Sequence, residues 1–230
     1  MAKKAKQTQP DSFEGIEHAL TRTERFIEDN SKIISYVILG IIALVLIVMG
    51  AKRFYLTPME EEAAGQMFMA EKFFERDSFQ LALNGYGTYP GFLEITEDYK
   101  LSKAANLADY YAGICYLKLG EFENAIDHLE SFKTKDLLLG AAKHSAIGDA
   151  YVELEQFEKA VKAYQVAIDD FPNGYSTPMI IKKTALVFEE MEDYRKANRA
   201  YLQIKRDYPE SEEARDIQKY ITRTELKMQG

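Results

Sequence analysis

The chain has 230 residues, 47% of them apolar, with a formal net charge of −8, so it can bury a core in one or two domains. Its single cysteine, Cys115, excludes a disulfide framework and any cysteine-rich zinc site. Residues 1–53 carry a net charge of +2 and the remainder −10; an acidic domain repels phosphate backbones, which argues against a nucleic-acid ligand.

Residues 1–10 read as irregular. From Asp11 onwards Phe13, Ile16, Leu20 and Ile27 fall on one face of a helix that Asp11 or Ser12 could cap. This amphipathic segment, within a tail of residues 1–32, either binds a partner or membrane surface or merely leads into the apolar run beyond it.

Residues 33–51 run from Ile33 to Ala51 without a charge. At about 1.5 Å per residue, a helix of this length matches a hydrocarbon core of about 30 Å. Lys32 flanks one end and Lys52 and Arg53 the other, with Phe54 and Tyr55 where interfacial aromatics belong. A core helix of this length free of charge is unusual. A cleaved signal peptide fits poorly, because a long region containing six acids precedes the segment. The expectation is a single transmembrane signal anchor. Arg22, Arg25 and Lys32 outnumber Lys52 and Arg53, which favours a cytoplasmic N-terminus and places the C-terminal domain across the membrane.

After a linker at 52–62, the chain repeats itself. An aromatic is followed six residues later by another aromatic, nine later by Ala, and thirteen later by Tyr or Leu. The four sets are Phe73, Phe79, Ala82, Tyr86; Tyr116, Phe122, Ala125, Leu129; Tyr151, Phe157, Ala160, Tyr164; and Phe188, Tyr194, Ala197, Tyr201. Ala70, Gly113, Gly148 and Ala185 stand three residues before each leading aromatic. The pattern predicts antiparallel helix pairs in which small residues permit close approach, and pairs that must stack because one alone cannot bury its apolar face. Pro172 and Pro209 end the third and fourth units. The leading aromatics are 43, 35 and 37 residues apart. The last two intervals lie near the tetratricopeptide period of about 34.

This arrangement resembles the tetratricopeptide repeat (TPR), most closely in the third unit through Gly148, Tyr151, Ala160, Tyr164, Ala167 and Pro172. The second unit departs from the pattern with Phe132 where a small residue is usual, and the first is degenerate. Its insertion, residues 87–101, keeps Phe92, Ile95 and Tyr99 at helical spacing, which predicts a short packed helix. The repeats occupy 63–209. Residues 210–230 predict a capping helix with Ser211 at its start, Glu212 and Glu213 in its first turn, and Ala214, Ile217 and Ile221 inward. The fold class is therefore all-α: one N-terminal transmembrane helix, then a TPR helical-hairpin solenoid with a C-terminal cap.

No catalytic, cofactor or metal constellation emerges. His18, His128 and His144 lie in separate segments, Cys115 reads as packed, and Glu60, Glu61 and Glu62 read as a solvated first turn. The resemblance to TPR proteins implies a groove for peptides or protein partners lined by the first helix of each unit. Here that face would comprise Met67, Glu71, Phe74, Tyr110, Ile114, Ser145, Asp149, Lys182, Leu186 and Glu189, a mixed apolar and acidic surface. It lacks the Lys, Asn and Arg set with which TPR clamps hold a C-terminal carboxylate. Core packing accounts for some of these positions equally well.

The layout of short tail, anchor, acidic linker and terminal repeats resembles the YfgM family, the ancillary subunit of the bacterial SecYEG translocon. Lys52 to Pro58, Glu62-Ala63-Ala64 and the insertion Gly91 to Ile95 look like Bacteroidota members of that group. The resemblance implies a non-enzymatic protein of the inner membrane whose periplasmic repeats link emerging client chains from SecYEG to periplasmic chaperones. Two other readings stay open: an assembly scaffold for another envelope complex, in secretion or cytochrome maturation, and a regulatory module whose N-terminal helix senses a soluble partner.

Overall fold

The computed structural model describes Phe26 and residues 29–229, so the helix expected from Asp11 and the residue His18 lie outside the described residues. The chain divides into two units, Met1–Thr57 and Pro58–Gly230.

In the first unit, α1 covers Ser31–Ala51, and none of its residues is buried. It is long and apolar enough to cross a membrane. The segment expected as a linker is helical from its first residue. Lys52–Leu56 form a π turn, in which the Lys52 carbonyl accepts both the Thr57 N–H and, at 2.9 Å, the Thr57 hydroxyl. Pro58 comes next. It has no N–H to donate, and a wide turn is one of the few ways a helix accommodates that loss.

The second unit is helical throughout its regular structure. Its elements are α2 (Thr57–Phe74), α3 (Phe79–Asn84), α4 (Phe92–Asp98), α5 (Lys103–Leu119), α6 (Phe122–Ser131), α7 (Leu137–Glu153), α8 (Phe157–Asp170), α9 (Thr177–Glu190), α10 (Tyr194–Asp207) and α11 (Ile217–Gln229). The pairs α2/α3, α5/α6, α7/α8 and α9/α10 correspond to the four sequence units. The repeat alanines Ala82, Ala125, Ala160 and Ala197 are all fully buried.

The residue thirteen after the leading aromatic packs onto the small residue three before it. A Cβ on Gly148 would fall 2.3 Å from the Tyr164 ring, and one on Gly113 would fall 2.6 Å from Leu129. Ala185 and Tyr201 share one core cluster. Burying a side chain of this size contributes about 1.5–3 kcal/mol, so the small residue sets how much apolar surface each hairpin removes from water.

All four hairpins turn in the same way. The residue two before the second-helix aromatic has positive φ: Asp77 (55°), Gly120 (80°), Glu155 (56°) and Glu192 (57°). The carbonyl of each leading aromatic accepts the N–H five residues on: Phe73 from Ser78, Tyr116 from Glu121, Tyr151 from Gln156 and Phe188 from Asp193, at 2.8–2.9 Å. This is the Schellman closure of a helix end, which favours a residue without a Cβ at the left-handed position. Only the second hairpin has glycine there.

The first unit breaks the pattern at its fourth position. α3 stops at Asn84, and Tyr86 is exposed in a tight turn with Tyr89, each donating its N–H to the other's carbonyl. Gly85 (φ 80°) and Gly91 let the insertion fold back on α3, because a Cβ on Gly91 would fall 2.1 Å from the Leu83 carbonyl. α4 then forms where expected, and Phe92 and Ile95 are fully buried. They join the core cluster that contains Ala70, the small residue of the first unit. In the second unit the departure at Phe132 also has a structural reason. α6 ends at Ser131, and Phe132 turns into extended backbone with its ring 5.2 Å from that of Tyr110. The buried Lys143 ammonium caps the shortened helix end by donating to the Phe132 carbonyl at 2.7 Å and to that of Glu130 at 3.4 Å.

At the C-terminus, Ser211 accepts the Ala214 N–H at 3.2 Å. Consecutive turns follow, and regular helix begins only at Ile217, so Glu212 and Glu213 precede α11. Ile217 and Ile221 face inward as expected. Glu60 is more than a solvated first-turn acid, since its carboxylate accepts the Lys103 N–H and caps α5.

Candidate functional site

The ten first-helix positions expected to line a groove are divided by the structure into packed, internally bonded and open groups. Met67 is buried in the α2/α5 core, and Phe74 lies edge-on to Phe79, Phe92 and Tyr111 at 5.0–6.4 Å. Tyr110 packs on Phe132, and Ile114 joins the cluster around Ile126 and Ile147. Glu71 is half-buried, and burial, reinforced by Glu75, raises its carboxyl above the usual carboxylate range.

Ser145, Asp149, Lys182 and Glu189 are held by partners within the chain. Tyr164 Oη donates to Asp149 Oδ1 at 2.6 Å, and Lys183 Nζ reaches Asp149 Oδ2 at 2.6 Å and the Ser145 hydroxyl at 3.1 Å. One unit later Tyr201 Oη donates to Glu189 Oε1 at 2.6 Å, and the same oxygen takes Arg223 Nη2 at 2.6 Å. Each carboxylate thus joins its own first helix, the second helix behind it and the helix that follows. Burial raises the Tyr164 and Tyr201 phenols far above their ordinary value, and the neighbouring carboxylates add to it. Both therefore remain donors at neutral pH. Lys182 lies 4.7 Å over the Tyr220 ring and 3.4 Å from Asp216, so residues of the C-terminal segment engage Lys182 as Arg223 engages Glu189. Leu186, 41% exposed, is the one open position of the ten.

The tyrosine–carboxylate–cation links were not visible as a motif, because Asp149 and Glu189 stand at different positions of their helices. The available signal was a tyrosine, in place of leucine, at the buried thirteenth position of the third and fourth units. A buried phenol needs an acceptor.

The other chemistry-bearing residues are structural. Cys115 is fully buried, and burial pushes its thiol up to about 12, where no reactive thiolate forms at neutral pH. His128 Nδ1 lies 2.9 Å from Asp109 and its ring stacks on Tyr116 at 5.4 Å. His144 stacks on Phe171 at 5.5 Å, and its ring pKa is lowered first by burial and then by Lys143. Among the described residues no group of three or more His, Cys, Asp or Glu could hold a metal ion.

Stacked antiparallel hairpins with a shared turn and a small-residue contact define a helical-repeat protein of the kind that binds other proteins. The tetratricopeptide repeat model matches residues 107–136, 146–174 and 183–211, which are the second, third and fourth hairpins; the chain carries tetratricopeptide repeats there. No curated protein matches the chain.

Proposed function

We propose that the protein is a membrane-anchored, non-enzymatic docking scaffold, an ancillary subunit of the Sec translocon that links emerging chains to periplasmic chaperones. The observation that carries the anchored part is α1, whose twenty-one residues are unburied and include an unbroken apolar run. A single unburied helix of this length and hydropathy is suited to a bilayer and ill suited to water. Lys52, Arg53, Phe54 and Tyr55 then supply charge and aromatics at one interface, all of them exposed. The excess of basic residues before the span favours a cytoplasmic N-terminus and periplasmic repeats in the bacterial inner membrane.

The docking part rests on the tetratricopeptide repeats, and the assignment to SecYEG rests on the YfgM-like layout. A surface with one open apolar residue, and with Asp149, Lys182 and Glu189 satisfied internally, suits weak contact with varied client chains better than capture of one fixed carboxylate. The test is purification of the tagged full-length protein from native membranes in mild detergent, followed by mass spectrometry of what accompanies it. Sec channel subunits and periplasmic chaperones are the expected result. Their absence, with a defined set of secretion or cytochrome-maturation proteins in their place, would replace the translocon reading with the assembly-scaffold one.

A further inference from the structure

Consecutive first helices touch, α5 with α7 and α7 with α9, whereas the second helices α6, α8 and α10 have no such contacts with one another among the described residues. The second-helix side is therefore splayed, and a cleft opens between neighbouring second helices with the intervening first helix as its floor. The cleft between α6 and α8 holds a cavity of about 510 Å³. The one between α8 and α10 holds about 280 Å³.

The two clefts are built from repeat-equivalent residues 37 positions apart. Tyr151 and Phe188 form the floors, and Lys159 and Lys196 lie over those rings at 5.3 and 5.4 Å. Lys162 and Arg199 stand one turn further along, at matching positions in the two walls. Lys196 is paired with Asp193 at 2.7 Å, while Lys162 and Arg199 form no ion pair among the described residues. Four lysines and one glutamate line the first cleft, although residues 54–230 carry a net −10. In the second hairpin the equivalent positions are Asn124 and Asp127, so the positive surface begins at the third unit.

We propose that these two clefts form a second docking surface, on the side opposite the first-helix face, for an acidic peptide segment bearing apolar side chains. The ring floors accept the apolar groups, and Lys162 and Arg199 meet the carboxylates. Charge complementarity selects the occupant: the first cleft is positive against the sign of its own domain, and in the second Lys196 and Arg199 outnumber the lining Asp169. That domain's net negative charge opposes close approach to an anionic bilayer, so a peptide fits better than a lipid headgroup. The surface is independent of which complex the first-helix face engages.

The test is fluorescence anisotropy of a labelled peptide of alternating Glu and Phe, titrated with the full-length protein in detergent micelles. Wild-type protein binds it, and binding weakens as salt rises. The double variant Lys162→Glu, Arg199→Glu weakens it by about tenfold or more. Leu101→Ala, exposed and lining neither cleft, leaves it unchanged. Both reversed residues are exposed, and an unaltered helical circular dichroism spectrum shows that the fold is retained. Unchanged affinity in the double variant, or no binding by wild type, overturns the proposal. So does the opposite pattern, in which the double variant loses binding to phosphatidylglycerol vesicles while the peptide never binds.

Discussion

Tyr164 Oη donates to Asp149 at 2.6 Å across the third hairpin, and the same carboxylate holds Lys183 of the next first helix. The phenol ring itself lies against Gly148. One residue therefore sets both the spacing within its hairpin and, through Asp149, the register with the next. Tyr201, Glu189 and Arg223 repeat the device at the end of the array.

Tyr164→Phe keeps the ring and removes the donor. Loss of a hydrogen bond to a charged acceptor is expected to destabilise the fold by about 1–2 kcal/mol, read as a lower urea midpoint. Lys183→Met removes a pair whose two side chains are about one-third exposed, and is expected to change stability by less than about 1 kcal/mol. A larger effect for Lys183→Met than for Tyr164→Phe would assign the register to the ion pair instead.

The hairpin turns give a prediction of opposite sign. Glu155 and Glu192 hold φ values of 56° and 57°, a conformation that disfavours a residue bearing a Cβ by about 1–2 kcal/mol. Glu155→Gly and Glu192→Gly are each expected to stabilise the protein by up to about 1 kcal/mol, since glycine also loses more entropy on folding. Gly120→Ala, at the equivalent turn, should destabilise it by a similar amount. Thermal unfolding of the three variants checks both signs.

Close approach separates two glycines of equal standing in the repeat. A Cβ at Gly148 meets the rigid Tyr164 ring at 2.3 Å, whereas one at Gly113 meets a Leu129 side chain at 2.6 Å that can change rotamer. Gly148→Ala is expected to cost about 1–3 kcal/mol as overpacking, and Gly113→Ala less. Chemical denaturation monitored by helical ellipticity would show the order of the two midpoints.

Burial against Phe171, together with Lys143, holds the His144 pKa below its ordinary value of 6.5, with Asp170 acting weakly in the other direction. A base whose folded pKa is depressed binds fewer protons folded than unfolded, so stability rises with pH across that window. The contribution is full above about pH 6.5 and is lost as pH falls through the lower folded value. His144→Phe should flatten the stability profile in this window and leave it unchanged above neutrality. A profile that keeps its slope would place the titration elsewhere.

The periodic part of this fold was legible in the sequence because each repeat position has one physical demand. Ala82, Ala125, Ala160 and Ala197 must be small, and their flanking aromatics must be large. Phe92, Ile95 and Ile217 were legible in the same way, from helical spacing alone. Tyr86 was misread because its spacing fits, while Gly85 and Gly87 beside it take positive φ and end the helix first. The start of the last helix was placed too early, because Ser211 and the glutamates after it are good capping residues that here form a run of turns. The ten first-helix positions were named from the repeat register, and that register says nothing of the partners that fix their chemistry. Whether Asp149, Lys182 or Glu189 is free depends on Lys183, Tyr201, Tyr220 and Arg223, which reach them from other helices.

The central claim, a membrane-anchored scaffold that engages translocon proteins through its first-helix face, is tested most directly by photo-crosslinking in intact cells. A photoreactive amino acid at Leu186, the open position of that face, is compared with one at Tyr86, exposed just before the insertion. The account predicts adducts from position 186 with Sec channel subunits or periplasmic chaperones, in the membrane fraction, and none of these from position 86. Identical adducts from both positions, or a protein that leaves the membrane fraction and forms no adduct at 186, would contradict it.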